Sequence, residues 1–223
     1  MKQNSRPDIR NVISIMLNII IVIFACIGTV IMLSQRENGE ALTSRGVSNL
    51  KYFTVLSNEF CGITAAAWLV CKAVGRRFPV FPKLMAASAV GLTFFIIAAF
   101  LAPMYPMLNL YENANLWFHL ILPIAGMTEF ILLKQSDKIL FKYTVISASA
   151  ALVYGAAYLA NILINGKGVY PDTNDWYGFL NWGYPIGIGI FAAVVLMDFG
   201  MAVILRGVNI LINKPHKTAE KEQ

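Results

Sequence analysis

The sequence predicts an all-α fold: a polytopic membrane protein with six transmembrane helices and both termini in the cytoplasm. Three observations predict it. Of 223 residues, 57% are hydrophobic and 13% charged, about half the charged share of a soluble domain, roughly 25%. The apolar residues gather into six long runs, and Lys and Arg collect in alternate connections between them. Together these exclude a soluble globule, a disordered chain and a nucleic-acid binder, although the formal net charge is +6.

A helix crosses a bilayer core of about 30 Å with roughly 20 apolar residues. The first run, 11–33, has Asn18 as its most polar interior residue. It is longer than the apolar part of a cleaved signal, about 7–15 residues. The next runs are 50–71 and 84–104, then 116–133, short and interrupted by Pro123. The last two are 141–164, with Lys142 at its edge, and 180–205. They form a single membrane domain over 1–213, and the charged tail 214–223 is expected to be disordered.

Basic residues set the orientation, because cytoplasmic segments accumulate Lys and Arg. One set of connections holds Lys2, Arg6, Arg10, Lys72, Arg76, Arg77, Lys83, Lys134, Lys138, Lys142, Arg206, Lys214, Lys217 and Lys221. The other holds only Arg36, Arg45, Lys51 and Lys167. In that second set, the 105–115 loop has no basic residue, and the 165–179 loop carries Tyr170, Pro171, Asp172, Asp175 and Trp176. Tyr111, Trp117, Tyr177 and Trp182 sit where aromatic anchors belong.

Cys26, Cys61 and Cys71 lie within spans or at a helix end and read as buried small hydrophobes without a disulfide. There is no Walker loop, Gly-rich dinucleotide turn or CxxC pair. With His119 and His216 as its only histidines, the chain lacks the ligands of a His/Cys zinc site. No metal and no cofactor are expected.

Ionisable groups within a span cost at least ~2.5–3.5 kcal/mol each on insertion scales and mark candidate functional positions. The spans assign four: Glu59, His119, Glu129 and Asp198. Glu129 and Asp198 are expected to pair with basic residues near the inner face, such as Lys134 and Arg206. Depth at about 1.5 Å per residue puts Thr54, His119, Tyr158, Asn161 and Tyr184 in an outer layer. Asn18, Glu129 and Asp198 form an inner one, with Glu59 between. Thr54, Ser57, Asn58 and Cys61 recur at helical spacing, as do Tyr154, Tyr158 and Asn161, so each set makes a polar stripe that should point into the bundle.

A Thr hydroxyl becomes nucleophilic when a base takes its proton, and His is the usual base. Asn58 or Tyr158 is placed to donate to a developing oxyanion, with Ser57, Tyr154, Asn161 and Tyr184 as further pocket residues. Glu129, about 15 Å deeper than His119, does not complete a triad, so the expectation is a Thr54–His119 dyad. Phe94, Phe95 and Met127 are expected to wall an acyl chain.

Several fragments together resemble the androgen-induced-gene-one family of multispan proteins and its bacterial six-span relatives. They are Lys51-Tyr52-Phe53-Thr54-Val55-Leu56-Ser57-Asn58, then His119 with Pro123 and Glu129 after it, then Tyr170-Pro171 before the last span. The resemblance runs from about residue 10 to 210. It departs from the family pattern at Asp172, where an aromatic is usual. The family's animal members cleave fatty acid esters of hydroxy fatty acids with an intramembrane Thr and His. The resemblance carries these roles to Thr54, through Lys51 and Phe53, and to His119, through the downstream Pro and Glu. It implies a threonine-dependent lipid-ester hydrolase of a bacterial plasma membrane, acting on a membrane lipid or lipid-like ester. Two other readings of the polar residues stand beside it. One is a proton-coupled transporter using Glu59, Glu129, Asp198 and His119. The other is a non-catalytic scaffold or lipid sensor in which the stripes only join helices.

Overall fold

The computed structural model describes residues 9–35, 46–133, 138–169 and 173–213. Tyr170, Pro171, Asp172, Lys134, His216 and the tail 214–223 lie outside them. The described chain carries six helices long and apolar enough to cross a membrane. They are α1 (Ile9–Ser34), α2 (Phe53–Ala73), α3 (Val80–Met104), α4 (Asn113–Leu132), α5 (Lys142–Asn165) and α6 (Tyr184–Ile212). Short 3₁₀ turns at Val47–Lys51 and Phe179–Trp182 lead into α2 and α6.

The helices run alternately up and down, which sorts the chain into two ends. Lys72, Arg76, Arg77, Lys142 and Arg206 fall at a basic end. Tyr52, Phe53, Tyr105, Trp176, Tyr177, Phe179 and Trp182 fall at an aromatic end. The bundle is apolar on its outside and keeps polar groups inside an otherwise apolar core: Ile23, Ile63, Val153 and Leu196 are exposed, while Ser14, Asn18, Ser88 and Thr93 are buried. Helices long and apolar enough to span a membrane are typically joined by close packing and interhelical hydrogen bonds. Accordingly α3, the most buried helix, carries Ala86, Ala87, Ser88, Ala89 and Gly91. A Cβ at Gly91 would come within 2.9 Å of Met201 Cγ and 3.0 Å of Met127 Sδ.

Two features revise the sequence reading. First, α3 starts at Val80 rather than near residue 84, because Pro79 caps it and Pro82 falls in its first turn, where a missing N–H costs nothing. Lys83 is therefore no connection residue. It is 4% exposed, and its Nζ lies 3.0 Å from Glu129 Oε2 and bonds Asn18 Oδ1. Asn18 Nδ2 donates to Glu129 Oε1 at 2.7 Å. Glu129 thus pairs across α1, α3 and α4; Lys134, its expected partner, lies outside the described residues. Arg206 donates to the Ile139 carbonyl at 2.8 Å rather than to Asp198. Neither oxygen of the buried Asp198 has a hydrogen-bond partner among the described residues.

Second, α3 and α4 each contain a π-turn, at Ile97–Leu101 and Trp117–Ile121, closed by Ala102 N–H to the Ile97 carbonyl and Leu122 N–H to the Trp117 carbonyl. Each ends two residues before a proline, Pro103 or Pro123. Local π adjustment is a common way for a spanning helix to accommodate proline. The cysteines are free, and Cys26 faces outward instead of into the core, while Cys61 is buried.

Candidate functional site

An apolar cavity of about 140 Å³ lies between the start of α2, the last turns of α3, α5, the loop before α6, and α6 itself. Thr54, Thr93, Tyr154, Tyr158, Tyr177 and Phe191 are among its walls. Phe94, Phe95 and Met127, expected to wall an acyl chain, are not; Met127 packs instead with the core of α3, α4 and α6.

Thr54 occupies the first turn of α2. Its backbone is held firmly: its carbonyl accepts from Ser57 Oγ at 3.0 Å and from Asn58 Nδ2 at 2.7 Å. Its hydroxyl makes no hydrogen bond among the described residues, and Thr54 is part of the cavity wall. Ser57 is buried and lies 3.1 Å from the Thr93 hydroxyl, tying α2 to α3.

His119 sits in the π-turn of α4 and is 2% exposed. Its Nδ1 is 2.6 Å from the Leu110 carbonyl. A carbonyl only accepts, so Nδ1 carries the proton of the neutral ring, and Nε2 keeps the lone pair that a general base needs. A backbone carbonyl thus does the orienting that no carboxylate was placed to do. His119 does not line the cavity, and no hydrogen bond joins it to Thr54 among the described residues. The link between them is Asn58. Its Nδ2 donates both to the Thr54 carbonyl and, at 2.9 Å, to the carbonyl of Phe118, the residue before His119. Asn58 Oδ1 is buried without a partner among the described residues.

The expected oxyanion donors are otherwise engaged. Both Asn58 Nδ2 protons are taken by carbonyls, and the Tyr158 hydroxyl donates to Asp175. Asp175 also accepts from Leu180 N–H at 3.0 Å and pairs with Lys167 at 3.5 Å, which pins the loop against α5. The Tyr154 hydroxyl donates to the Lys51 carbonyl at 2.7 Å and accepts from Trp176 Nε1 at 3.1 Å. Asn161 bonds Asn174 and Asn165, and Tyr184 is 48% exposed; neither lines the cavity. Asn161 lies near the end of α5, and Gly183 starts α6 too late to turn Tyr184 inward.

Tyr177, expected to be a rim anchor, is instead part of the cavity wall. Its oxygen accepts Phe53 N–H at 2.8 Å, one residue from Thr54. The Tyr154 hydroxyl approaches it at 3.4 Å, farther than an ordinary O–H···O bond. Burial, with Tyr154 beside it, holds the phenol well above its usual pKa, so it stays a donor. Its ring stacks on Phe179 at 5.2 Å. Trp176-Tyr177-Gly178-Phe179 after an acidic residue was the available signal; only the fold turns it inward.

Glu59 accepts from Thr29. No hydrogen bond among the described residues connects Glu59, Glu129, Asp198 and His119 with one another, and none brings three His, Cys, Asp or Glu side chains together to hold a metal ion. No family model matches the chain, and no curated protein and no solved structure matches it either.

Proposed function

We propose that this chain is an intramembrane hydrolase of a lipid ester, with Thr54 as nucleophile and His119 as general base. One observation carries the reading: Thr54, whose hydroxyl makes no hydrogen bond among the described residues, lines an apolar cavity, while its backbone is fixed by the same Asn58 amide that holds the His119 turn. Catalytic hydrogen bonds are often long in unliganded sites and tighten around substrate. In the reaction the Thr54 oxygen adds to the ester carbonyl as its proton passes to His119 Nε2. The alcohol departs with that proton, leaving an acyl-threonine. Water then attacks, again deprotonated at Nε2, and the free acid leaves as the threonine regains its proton. The Tyr177 hydroxyl is the donor best placed for the oxyanion. No cofactor takes part, and the substrate is a membrane lipid or lipid-like ester. The basic end faces the cytoplasm of a bacterial cell, so the cavity belongs to the outer leaflet.

A fluorophosphonate probe tests this directly on protein purified in detergent. Labelling is expected for the parent and for Thr54→Ser, and a fall of at least about 10²-fold for Thr54→Ala and His119→Ala. Undiminished label on folded Thr54→Ala protein rejects this nucleophile.

A further inference from the structure

The cavity beside Thr54 borders a second space. A narrower crevice of about 20 Å³ runs between α5 and α6, and Gly155, Tyr158, Phe179 and Phe191 line both. The side chain in the shared wall contributed by α6 is Phe191. Its ring lies so close to α5 that a Cβ on residue 155 would be 1.6 Å from Phe191 Cε2. Gly155 is therefore the recess that admits the ring between the helices. At its far side the crevice reaches the outer surface of the bundle, where Ile188 is 51% exposed.

Volume makes this partition consequential. A protein cavity of about 150 Å³ with apolar walls accommodates one benzene. A space of about 140 Å³ accordingly takes about six carbon atoms. A longer chain has to continue elsewhere, and the crevice leads towards lipid once the ring is gone. The Phe191 ring is partly buried and seated against the α5 backbone at Gly155, so any side chain smaller than it leaves the partition open.

We propose that Phe191 is the specificity-determining residue of this site: its ring closes the far end of the cavity and sets the length of acyl chain held beside Thr54. The inference rests on reading the cavity as the acyl site of an ester hydrolase. With the ring in place, short chains fit whole. With the ring removed, cavity and crevice merge and a long chain runs out between α5 and α6.

The test compares hexanoate and dodecanoate esters of 4-nitrophenol as substrates. In parallel, hexanoate and dodecanoate themselves displace a fluorescent fatty acid from Thr54→Ala protein, which binds without turnover. Phe191→Ala is expected to raise the dodecanoate-to-hexanoate ratio at least about tenfold in both measurements, since a methylene or two in an apolar pocket is worth that much. Phe191→Leu, the milder variant, should shift it the same way by less. An unchanged binding ratio in both variants overturns the proposal, even where the parent hydrolyses esters through Thr54. A shifted binding ratio with no hydrolysis by the parent upholds Phe191 and removes the hydrolase reading.

Discussion

Thr54 differs from Thr93 and Thr144 in how its polar groups are engaged. Thr93 and Thr144 return their hydroxyls to backbone carbonyls four and three residues earlier, a common arrangement for a helical threonine. At Thr54 the carbonyl is doubly held, the hydroxyl makes no hydrogen bond among the described residues, and the residue lines the cavity. Tyr177 is its counterpart from the loop. Its oxygen is fixed by Phe53 N–H, so its proton has a set direction. Tyr177→Phe should keep the stack on Phe179 and lower kcat/KM by about 10²-fold, the usual loss on removing one oxyanion donor. The decisive comparison is between inhibitors. A trifluoromethyl ketone, which forms a tetrahedral adduct, should bind more weakly to Tyr177→Phe, whereas a fatty acid product should bind unchanged. Equal losses for both would make the hydroxyl a general contact, not a transition-state donor. The raised phenol pKa has a further consequence with a definite sign. The donor persists above the ordinary tyrosine range near 10, so the rate should show no loss of this group as pH climbs through it.

The π-turn of α4 shows how a proline shapes the site without touching it. In an α-helix each N–H meets the carbonyl four residues back; in the π register it meets the fifth. Leu122 N–H reaches Trp117 in this way, and the next position, Pro123, has no N–H to offer Phe118. The Phe118 carbonyl is the one that Asn58 Nδ2 satisfies at 2.9 Å. Pro123 thus creates the vacancy that docks α2 against the turn bearing His119. Asn58→Leu should cost about 1–3 kcal/mol, the penalty of an orphaned buried carbonyl, read as a lower Tm in detergent. Adding Pro123→Ala supplies the missing donor, and the double variant should be more stable than Asn58→Leu alone. Absence of any recovery would mean that Asn58 serves some other group. Pro123 was visible in the sequence as an interruption of its span. Its consequence was not, because the acceptor it leaves open is closed by a side chain from another helix.

At the scale of the whole molecule, hydropathy made the six helices legible because their outward sides, with Ile63, Val153 and Leu196, are apolar. Helix ends and partners were harder. Lys83 read as a connection charge because a proline precedes it, although Pro82 is harmless in a first turn. Its pairing with Glu129 joins α3 to α4, and Asn18 brings in α1; residue spacing carries no trace of that. Thr54, Tyr154 and Tyr158 fell on the correct helix faces, while Tyr177 and Phe191 required the loop and α6 to be folded over them. The same distribution of residues bears on which leaflet contains the cavity. Arg76 follows α2 at the basic end, and Lys167 follows α5 at the aromatic end, on opposite sides of the bundle. In protein whose Cys26, Cys61 and Cys71 are replaced, Lys167→Cys should react with a membrane-impermeant maleimide on intact cells. Arg76→Cys should react only after the membrane is opened. The reverse pattern would turn the bundle over and give the Thr54 cavity to the cytoplasmic leaflet, where a different pool of lipid esters meets it.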